Sequence, residues 1–334
     1  MKELISKLIK KEDLSKEDVI RVVDSIEKND FEPLQLGELL IALESKGVTA
    51  DELYYFVEQL IKKAVIVDVS GDCIDVCGTG GDGKKTFNVS TAASFVVAGC
   101  GVKVAKHGNK AISSKSGSFD ALDELKIKAD IEKNKNCLEN AGIGFFFAPQ
   151  HHPVFKNIAE VRKNLGVRTI FNMIGPLLSP CKVKRQLIGV FDLNLTELIA
   201  ETMKKNGIEH GMVVHGNGLD EITIDGKTKI TELKDGEIKT YDIGPKDFGL
   251  EEGLTEELVV SSAKESSDVI TNVFNGKKSS ARNIVVLNAA AGLIVAGEAK
   301  DFNEGVKMAQ DCIDSGKAIE KLKSVQEIME DNDK

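Results

Sequence analysis

Apolar residues in the first 65 positions recur at helical spacing, without the alternation typical of strands. The clearest series is Leu36, Leu39, Leu40 and Leu43. Steps of three and four residues place these leucines on one face of a helix, which we expect to pack against a core. Pro33 suits the first position of this helix, and Gly47 suits the position just past its end.

Two further helix starts are marked by residues that can cap a helix. Ser15 with Asp18, and Thr49 with Glu52, have the spacing of a capping box, in which a hydroxyl and a carboxylate satisfy free backbone N–H groups. The first pair predicts a helix over residues 16–28. Residues 1–65 are therefore expected to form a small all-helical domain.

From residue 65 onward, short apolar strands alternate with helices. The segments prone to form strands are 74–77, 102–105, 145–147, 187–191 and 212–214. The segments expected to be helical are 90–100, 158–165, 196–206, 281–296 and the charged stretch from 303 onward. Strands that alternate with helices favour a mainly parallel sheet covered on both faces. Asp235-Gly236 between two polar segments adds a β-hairpin over residues 227–243.

These patterns predict the fold class α/β, with two domains. A small all-helical domain is expected over residues 1–65, and a larger α/β domain over residues 66–334, with a central, mainly parallel sheet flanked by helices. A length of 334 residues agrees with two domains. The composition, 42% hydrophobic and 29% charged, is that of an ordinary globular protein.

Charge and cysteine content exclude several classes of protein. Basic residues number 44 and acidic residues 53, and the net charge of −9 argues against a general nucleic-acid binder. The six cysteines are scattered without a CxxC motif, which predicts reduced thiols in a cytoplasmic protein. The N-terminus lacks the apolar core of a signal peptide. The longest apolar run, residues 284–297, is too short to span a membrane.

Residues 78–91 combine glycines, lysines and hydroxyl side chains after the first predicted strand. The segment reads GTGGDGKKTFNVST. Glycine lets backbone N–H groups approach a ligand closely, and the N–H groups and dipole at a helix start favour an anion. We therefore expect a phosphate cradle here, in preference to a plain glycine turn before a helix capped by Ser90.

Two familiar phosphate motifs fit this segment only in part. Gly78, Gly80 and Gly83 satisfy G-x-G-x-x-G, but residues 96–118 contain no Asp or Glu to hold the ribose hydroxyls of a dinucleotide. A P-loop would need Ser or Thr at the position of Lys85. Neither a dinucleotide site nor a P-loop is therefore expected.

A second basic segment, residues 106–118, follows the strand predicted at 102–105. Its sequence KHGNKAISSKSGS holds three lysines, one histidine and four serines, and no acid. Ligands of open α/β sheets bind beyond the carboxyl ends of the strands, and lysines and hydroxyls suit phosphate. Two such segments after neighbouring strands predict a ligand with phosphates at both ends, in preference to a solvated basic loop.

The two segments together resemble the anthranilate phosphoribosyltransferases of tryptophan biosynthesis, a family whose fold is related to that of pyrimidine nucleoside phosphorylases. The shared patterns are GTGGDGxxxxNVST and KHGNxxxSSKSGS. The resemblance continues in family order through FAPQHHP at 147–153, VR at 161–162, LGVRT at 165–169, FNMIGPL at 171–177, HGNGLDE at 215–221, LNAAAGL at 287–293 and SGKA at 315–318. It covers essentially the whole chain.

The resemblance implies a reaction and a set of substrates. Phosphoribose would pass from phosphoribosyl pyrophosphate to the amino group of anthranilate, with pyrophosphate leaving and Mg²⁺ required. For this reaction we expect Lys106 and His107 to be the catalytic residues: Lys106 would neutralise charge on the leaving group, and His107 would act in positioning. A homodimer that pairs through the helical domain is also implied, and that domain would take in a later segment near 164–180.

The resemblance also implies which residues bind each ligand. Those implied for phosphoribosyl pyrophosphate are Gly78, Gly81, Asp82, Thr86, Asn88, Val89, Ser90, Thr91, Lys106, His107, Gly108, Asn109, Lys110, Ala111, Ile112, Ser113, Ser114 and Ser118. Those implied for anthranilate are Gly78, Asn109 and Arg162. Those implied for magnesium are Ser90, Asp220 and Glu221.

The residue types suit these roles. Mg²⁺ prefers oxygen ligands and uses one or two carboxylates with substrate phosphates, and Asp220-Glu221 offers two adjacent carboxylates. The guanidinium fork of Arg162 matches the carboxylate of anthranilate, with Arg168 as the competing candidate. The family usually has Pro before the Val-Arg pair, where this chain has Glu160.

Two other functions compete with this one. A pyrimidine nucleoside phosphorylase would use free phosphate and a nucleoside, and its fold has a basic loop like residues 106–118. The glycine segment and the Asp220-Glu221 pair argue against it. A noncatalytic nucleic-acid-binding relative of the same fold should be basic and should have lost these motifs, whereas this chain is acidic and keeps them.

Overall fold

The computed structural model describes residues 1–110 and 117–331, and its N-terminal part is helical. The helices there are α1 (Lys2–Ile9), α2 (Lys16–Glu27), α3 (Pro33–Lys46) and α4 (Ala50–Lys62). The Ser15 hydroxyl accepts a hydrogen bond from the Asp18 N–H, and the Thr49 hydroxyl accepts one from the Glu52 N–H. Both predicted capping boxes are therefore confirmed.

Later helices pack against this N-terminal group. They are α9 (Val154–Leu165), α10 (Ile170–Met173) and the 3₁₀ turn Gly175–Leu178. Their buried side chains share one apolar cluster with those of α1–α4, and the rings of Phe56 and Phe171 lie 6.3 Å apart. The domain boundary predicted between residues 65 and 66 stays a prediction, as does the assignment of residues 164–180 to the helical domain.

A central sheet organises the rest of the chain. Its strands are β1 (Ile74–Gly78), β2 (Val104–Gly108), β3 (Ile143–Phe147), β4 (Arg185–Gly189), β5 (His210–Gly216), β6 (Thr228–Lys234) and β7 (Glu237–Ile243). The strand order is β3-β2-β1-β4-β5-β6-β7, and every pairing from β3 to β5 is parallel. β6 and β7 are antiparallel and form the predicted hairpin, which turns at Asp235 and Gly236. The predicted fold class is confirmed.

Helices cover both faces of the sheet. Those not yet given are α5 (Val89–Gly99), α6 (Ser118–Glu124), α7 (Ile131–Asn140), α8 (Ala148–His151), α11 (Leu195–Lys205), α12 (Ala263–Phe274), α13 (Ser280–Ala296), α14 (Phe302–Asp314) and α15 (Lys317–Glu330). α5 and α13 pack on one face, and α11 with the N-terminal helices packs on the other. Within the described residues, no helix is both long enough and apolar enough to cross a membrane.

The largest difference from the sequence-based expectation is the position of β2. The sequence predicts a strand at 102–105 with a loop from residue 106, but β2 runs from Val104 to Gly108. The placement of Lys106, His107 and Gly108 in a loop is therefore wrong. Helices α6 and α7, which are short and rich in polar residues, are not predicted by the sequence pattern.

Candidate active site

The site lies at the carboxyl ends of β1, β2 and β4, where the strand order changes direction. β1 is flanked by β2 on one side and β4 on the other, so the chain leaves β1 toward one edge and returns to fill the other. Crevices at such switch points are where open α/β sheets bind ligands. The glycine segment that follows β1 begins in this crevice.

The glycine segment leads from β1 into α5. Gly80 and Gly81 have φ values of +66° and +76°, a region that favours glycine. Asn88 occupies the N-cap position of α5, in place of Ser90. The Asn88 N–H donates to the Ser266 hydroxyl at 3.0 Å, which ties the start of α5 to α12. The predicted helix start beside the glycines is thus present, two residues earlier than Ser90.

A tight turn after β5 returns the chain to the same crevice. Gly216 bridges Leu219, and the two residues between them have positive φ, as in a hairpin turn. The residues that follow the turn are Asp220 and Glu221. Asp220 Oδ2 accepts a hydrogen bond from the Gly80 N–H at 2.6 Å. The turn therefore places the acidic pair against the glycine segment.

The three residues predicted for magnesium come together here. Glu221 Oε1 accepts a hydrogen bond from the Ser90 N–H at 3.1 Å. Ser90, which also carries the predicted hydroxyl ligand, lies in the first turn of α5. Asp220 lies beside Glu221, on the side of the glycine segment. Residues more than 130 positions apart in the chain thus meet within hydrogen-bonding distance.

Two glycines at the ends of adjacent strands make room for Asp220. Gly78 on β1 pairs with Gly189 on β4. A Cβ atom on Gly189 would lie 1.5 Å from the Asp220 carbonyl oxygen, and one on Gly78 would lie 2.6 Å from Asp220 Oδ2. Any larger residue at Gly189 would push the acidic pair away. Sequence reasoning misses Gly189, since a single glycine in an apolar strand has no distinctive signal.

A buried asparagine on α13 binds the backbone of Ile222, the residue that follows the acidic pair. The Asn288 side chain accepts from the Ile222 N–H and donates to the Ile222 carbonyl, both at 2.9 Å. It also donates to the Ile284 carbonyl at 2.8 Å. Asn288 is fully buried, so these bonds satisfy a polar group that would otherwise be costly to bury. In the sequence it stands out only as a polar residue within an apolar run.

The carboxylates of the crevice lie in an environment that disfavours their charge. Burial raises the pKa of Asp220, and the negative charge of Asp82 raises it further. Burial also raises the pKa of Glu221, with Asp220 adding to the shift and Lys106 opposing it. A bound cation would relieve both effects, because opposite charge favours the ionised form. The crevice is therefore suited to a hard cation with oxygen ligands.

Lys106 points into this crevice from β2. Its Nζ donates to Ser90 Oγ at 3.1 Å and to the Val76 carbonyl at 2.5 Å. Only 2% of Lys106 is exposed. An ammonium group is thus held at the start of α5, near enough to Glu221 for its positive charge to oppose the rise in the pKa of that carboxyl.

His107 lies on the opposite face of the sheet from Lys106, because successive strand residues alternate. Its ring is buried, and the centre of the ring lies 5.2 Å from the centre of the His152 ring. Burial lowers the pKa of His107 well below its usual range, and the neighbouring His152 lowers it further. A neutral imidazole follows. The structure therefore does not place the His107 side chain beside Lys106, and its catalytic role stays a prediction.

The segment after β2 is described only in part. Gly108 ends β2, and the Asn109 carbonyl accepts a hydrogen bond from the Ser118 hydroxyl at 3.0 Å. Lys110 forms an ion pair with Asp123 at 2.8 Å, so its ammonium group is directed toward α6. Four residues predicted for phosphoribosyl pyrophosphate, Ala111, Ile112, Ser113 and Ser114, lie outside the described residues.

The remaining residues predicted for the cradle differ in exposure. Asp82 accepts from the Lys84 N–H at 3.0 Å within an exposed turn. Thr86 forms a bridge with Val259. The side chains of Val89 and Thr91 are buried in the first turn of α5. These last two could therefore contact a ligand only through their backbone, and the Val89 N–H already donates to the Phe87 carbonyl at 2.8 Å.

Two arginines, Arg162 and Arg168, are the candidates for binding the carboxylate of the acceptor. Arg162 on α9 donates to the Phe171 carbonyl at 3.4 Å, and its guanidinium lies 5.9 Å from the centre of the Phe171 ring. Arg168 donates to the Gly81 carbonyl and stacks 4.0 Å from the centre of the Phe191 ring. Arg168 thus contacts the glycine segment, whereas Arg162 contacts Phe171 of α10.

No group of three or more His, Cys, Asp or Glu side chains in residues 1–110 and 117–331 is arranged to hold a metal ion. The acidic pair supplies two carboxylates and Ser90 one hydroxyl, which leaves the remaining positions of a metal to other oxygen atoms. Such a partial set matches Mg²⁺, which keeps waters and binds substrate phosphates.

Comparison with known proteins gives matches along the whole chain. Residues 2–64 match the helical bundle domain of a glycosyl transferase family, and residues 70–319 match its a/b domain. An anthranilate phosphoribosyltransferase of Thermoanaerobacter sp. (strain X514) is 44% identical over 331 residues, which cover 98% of each chain.

Solved structures of proteins named anthranilate phosphoribosyltransferase share the fold of this chain. The Thermus thermophilus protein matches with a TM-score of 0.92 at 33% identity, covering 98% of this chain and 99% of that one. The Saccharomyces cerevisiae protein in complex with PRPP and Mg matches with a TM-score of 0.88 at 26% identity, covering 98% and 97%. A structure of the yeast protein with 4-fluoroanthranilate has a TM-score of 0.87 at 25% identity and the same coverage.

Proposed function

The chain belongs to the anthranilate phosphoribosyltransferase family of glycosyl transferases, and from this we infer that it transfers the phosphoribosyl group of phosphoribosyl pyrophosphate to the amino group of anthranilate. Pyrophosphate is released, and the product is N-(5-phosphoribosyl)anthranilate, an intermediate of tryptophan biosynthesis. The observation that carries the inference is the meeting of the glycine segment, Lys106 and two half-buried carboxylates at one point of the sheet edge.

We assign phosphoribosyl pyrophosphate to the crevice between β1, β2 and β4. Backbone N–H groups of the glycine segment and of the first turn of α5 would donate to phosphate oxygens, aided by the helix dipole. Lys106 would add a full positive charge beside Ser90. The residues after β2, beginning at Asn109, would hold the far end of the ligand.

Mg²⁺ is assigned to Ser90, Asp220 and Glu221. The fit rests on the donors themselves, since two half-buried carboxylates and one hydroxyl are hard oxygen ligands. When bound, Mg²⁺ supplies positive charge that offsets the charge of a departing pyrophosphate. A structure of the yeast relative holds PRPP and Mg together, which supports the assignment.

The chain's residues would act by position and charge. The bond from the ribose carbon to pyrophosphate breaks with oxocarbenium-like character, and the electron pair leaves with pyrophosphate. Lys106, whose ammonium group lies beside Ser90, would face this leaving group. The amino group of anthranilate then bonds to the same carbon and loses a proton to water. Arg162 and Asn109 would hold anthranilate so that its nitrogen faces the carbon, which makes the reaction effectively unimolecular.

A direct assay tests the reaction. Anthranilate fluorescence is followed after phosphoribosyl pyrophosphate and Mg²⁺ are added to the purified protein, with a chelator as the control. A magnesium-dependent loss of fluorescence supports both substrates at once. A folded protein that leaves anthranilate unchanged would contradict the acceptor assignment, and thymidine with phosphate would then test the phosphorylase alternative.

Replacing Arg162 with Ala is expected to raise the KM for anthranilate by about 10-fold or more, because a hydrogen bond to a carboxylate is lost in the ground state and the transition state alike. kcat should change little. Steady-state kinetics with each substrate varied in turn give the measurement. Arg168→Ala is the matched control, since Arg168 contacts Gly81 and is expected to leave the KM for anthranilate unchanged. The opposite pattern would assign the acceptor to Arg168.

A homodimer through the helical domain is also proposed. Exposed apolar side chains are present on both α1 and α3, which pack together. Ile9 is 70% exposed, Leu34 75% and Ile41 41%. Leu34 and Ile41 are two helical turns apart and so lie on one face of α3. Apolar side chains grouped in this way are typical of a protein interface.

The double variant Leu34→Glu/Ile41→Glu is expected to be a monomer, because two charges would be buried at the interface. Light scattering after size exclusion should give the 36.2 kDa chain mass for the variant, and twice that mass for the parent. Leu254→Glu is the control, since Leu254 is 58% exposed and lies outside the helical domain. A dimeric double variant would place the interface elsewhere.

A cytoplasmic location is proposed on the state of the thiols. All six cysteines lie in the described residues, and each is a free thiol. Buried free thiols are usual where the compartment is reducing.

A further inference from the structure

The sheet changes its bonding pattern between β1 and β2, directly beneath the active site. β1 pairs with β4 over five residues, and β2 pairs with β3 over five. Between β1 and β2 the register holds one pair, Ile74 with Val104, closed by the Ile74 N–H to the Lys103 carbonyl. The two strands therefore stop pairing before they reach the site.

Side chains take over where the backbone ladder stops. In a parallel ladder that continued from the pair Ile74–Val104, the His107 N–H would donate to the Val76 carbonyl. Instead, the His107 N–H donates to Asp75 Oδ1 at 3.1 Å. The Val76 carbonyl accepts from Lys106 Nζ. One backbone bond is thus replaced by two bonds that involve side chains.

Asp75 is an unusual residue for its place. It is fully buried in β1, where acidic side chains are rarely found without a specific partner. Burial raises the pKa of Asp75 to about 7, and the positive charge of Lys106 acts in the opposite direction. Its carboxylate is therefore electrostatically linked to Lys106 as well as bonded to the next residue along β2.

We propose that Asp75 is a positioning residue, whose carboxylate holds the His107 amide away from the Val76 carbonyl and so leaves that carbonyl free to hold the Lys106 ammonium beside Ser90. The proposal rests on the proposed function, in which Lys106 faces the leaving pyrophosphate. Without the carboxylate, the His107 N–H and the Val76 carbonyl can pair as in a regular ladder. Lys106 then loses one of the two acceptors that fix its ammonium group.

A double-mutant cycle tests this coupling. Asp75→Ala is expected to lower kcat by about 10-fold or more in the parent, as for loss of a preorganised charge. In the Lys106→Met background, the same change should lower kcat less than about 2-fold, because the residue through which it acts is absent. The KM for anthranilate should stay unchanged throughout. Equal losses in the two backgrounds would overturn the proposal.

Asp75→Asn is the variant that guards against simple misfolding. Its amide oxygen can still accept from the His107 N–H, although a neutral acceptor forms a weaker hydrogen bond than a charged one. We therefore expect the kcat of this variant to lie within about threefold of that of the parent. An Asn variant that melts like the parent yet is as slow as the Ala variant would also overturn the proposal.

A readout independent of catalysis separates this proposal from the assigned reaction. In a crystal structure of unliganded Asp75→Ala protein, Lys106 Nζ should lie beyond hydrogen-bonding distance of Ser90 Oγ. If the parent protein transfers nothing to anthranilate, the proposed function is contradicted, but this structural measurement still tests the role of Asp75. A Lys106 ammonium that stays beside Ser90 without Asp75 would remove the positioning role, whatever the reaction.

Discussion

The double variant Asp220→Asn/Glu221→Gln is expected to lower kcat by about 1,000-fold at ordinary Mg²⁺ concentrations. Electrostatic stabilisation of the charge on a leaving phosphate is among the largest single contributions to the rate of such reactions. Both substitutions keep the shape of the side chain and remove its charge. The amides can still accept from the Gly80 and Ser90 N–H groups, which the carboxylates do now. The loss would therefore report the charge and not the fold.

Rates are measured over a series of Mg²⁺ concentrations, with thermal unfolding as a check of the fold. Any residual activity should need more Mg²⁺ than the parent. The control is Asp242→Asn/Glu251→Gln, which removes two exposed carboxylates outside the crevice and is expected to behave like the parent. A near-normal rate of the test variant at ordinary Mg²⁺ would contradict the metal assignment. If the test variant unfolds at the same temperature as the parent, a change in rate cannot come from a change in stability.

Much of the arrangement could be predicted from local signals in the sequence. The capping pairs, the alternation of strands with helices and the Asp235-Gly236 turn each depend on residues close together in the chain. The structure matches them because local propensity and tertiary packing agree there. The meeting of Ser90 with Asp220 and Glu221 depended instead on the resemblance to a family. Residues so distant in the chain carry no joint local signal.

The position of β2 shows what local reasoning misses. Lys106 and His107 are polar, so the sequence predicts a loop, yet both are buried on a strand. Lys106 can be buried because the Val76 carbonyl and the Ser90 hydroxyl come from other segments. Asp75 and Asn288 escape sequence reasoning for the same cause, because each is a polar residue in an apolar run whose partners appear only in the fold.

Lys106→Met is the second change with a large expected effect. Methionine keeps an unbranched chain of similar length and removes the ammonium group, so the packing around a residue that is 2% exposed should be preserved. kcat is expected to fall by about 100-fold, because a preorganised positive charge beside the leaving group is lost. The KM for anthranilate should stay within about twofold, since Lys106 lies on the phosphate side of the crevice.

Lys103→Met is the matched control for this prediction. Lys103 lies three residues earlier, and its ammonium pairs with Glu139 at 2.7 Å outside the crevice. Its removal should leave kcat unchanged, because the ammonium group of Lys103 lies outside the crevice. The fold should also be preserved, because a partly exposed ion pair contributes about 1 kcal/mol or less to stability. Equal rates for Lys106→Met and the parent would show that the ammonium beside Ser90 plays no part in the reaction. The charge on the leaving group would then have to be met by the helix dipole and the metal site alone, and Asp75 would have no catalytic group to position.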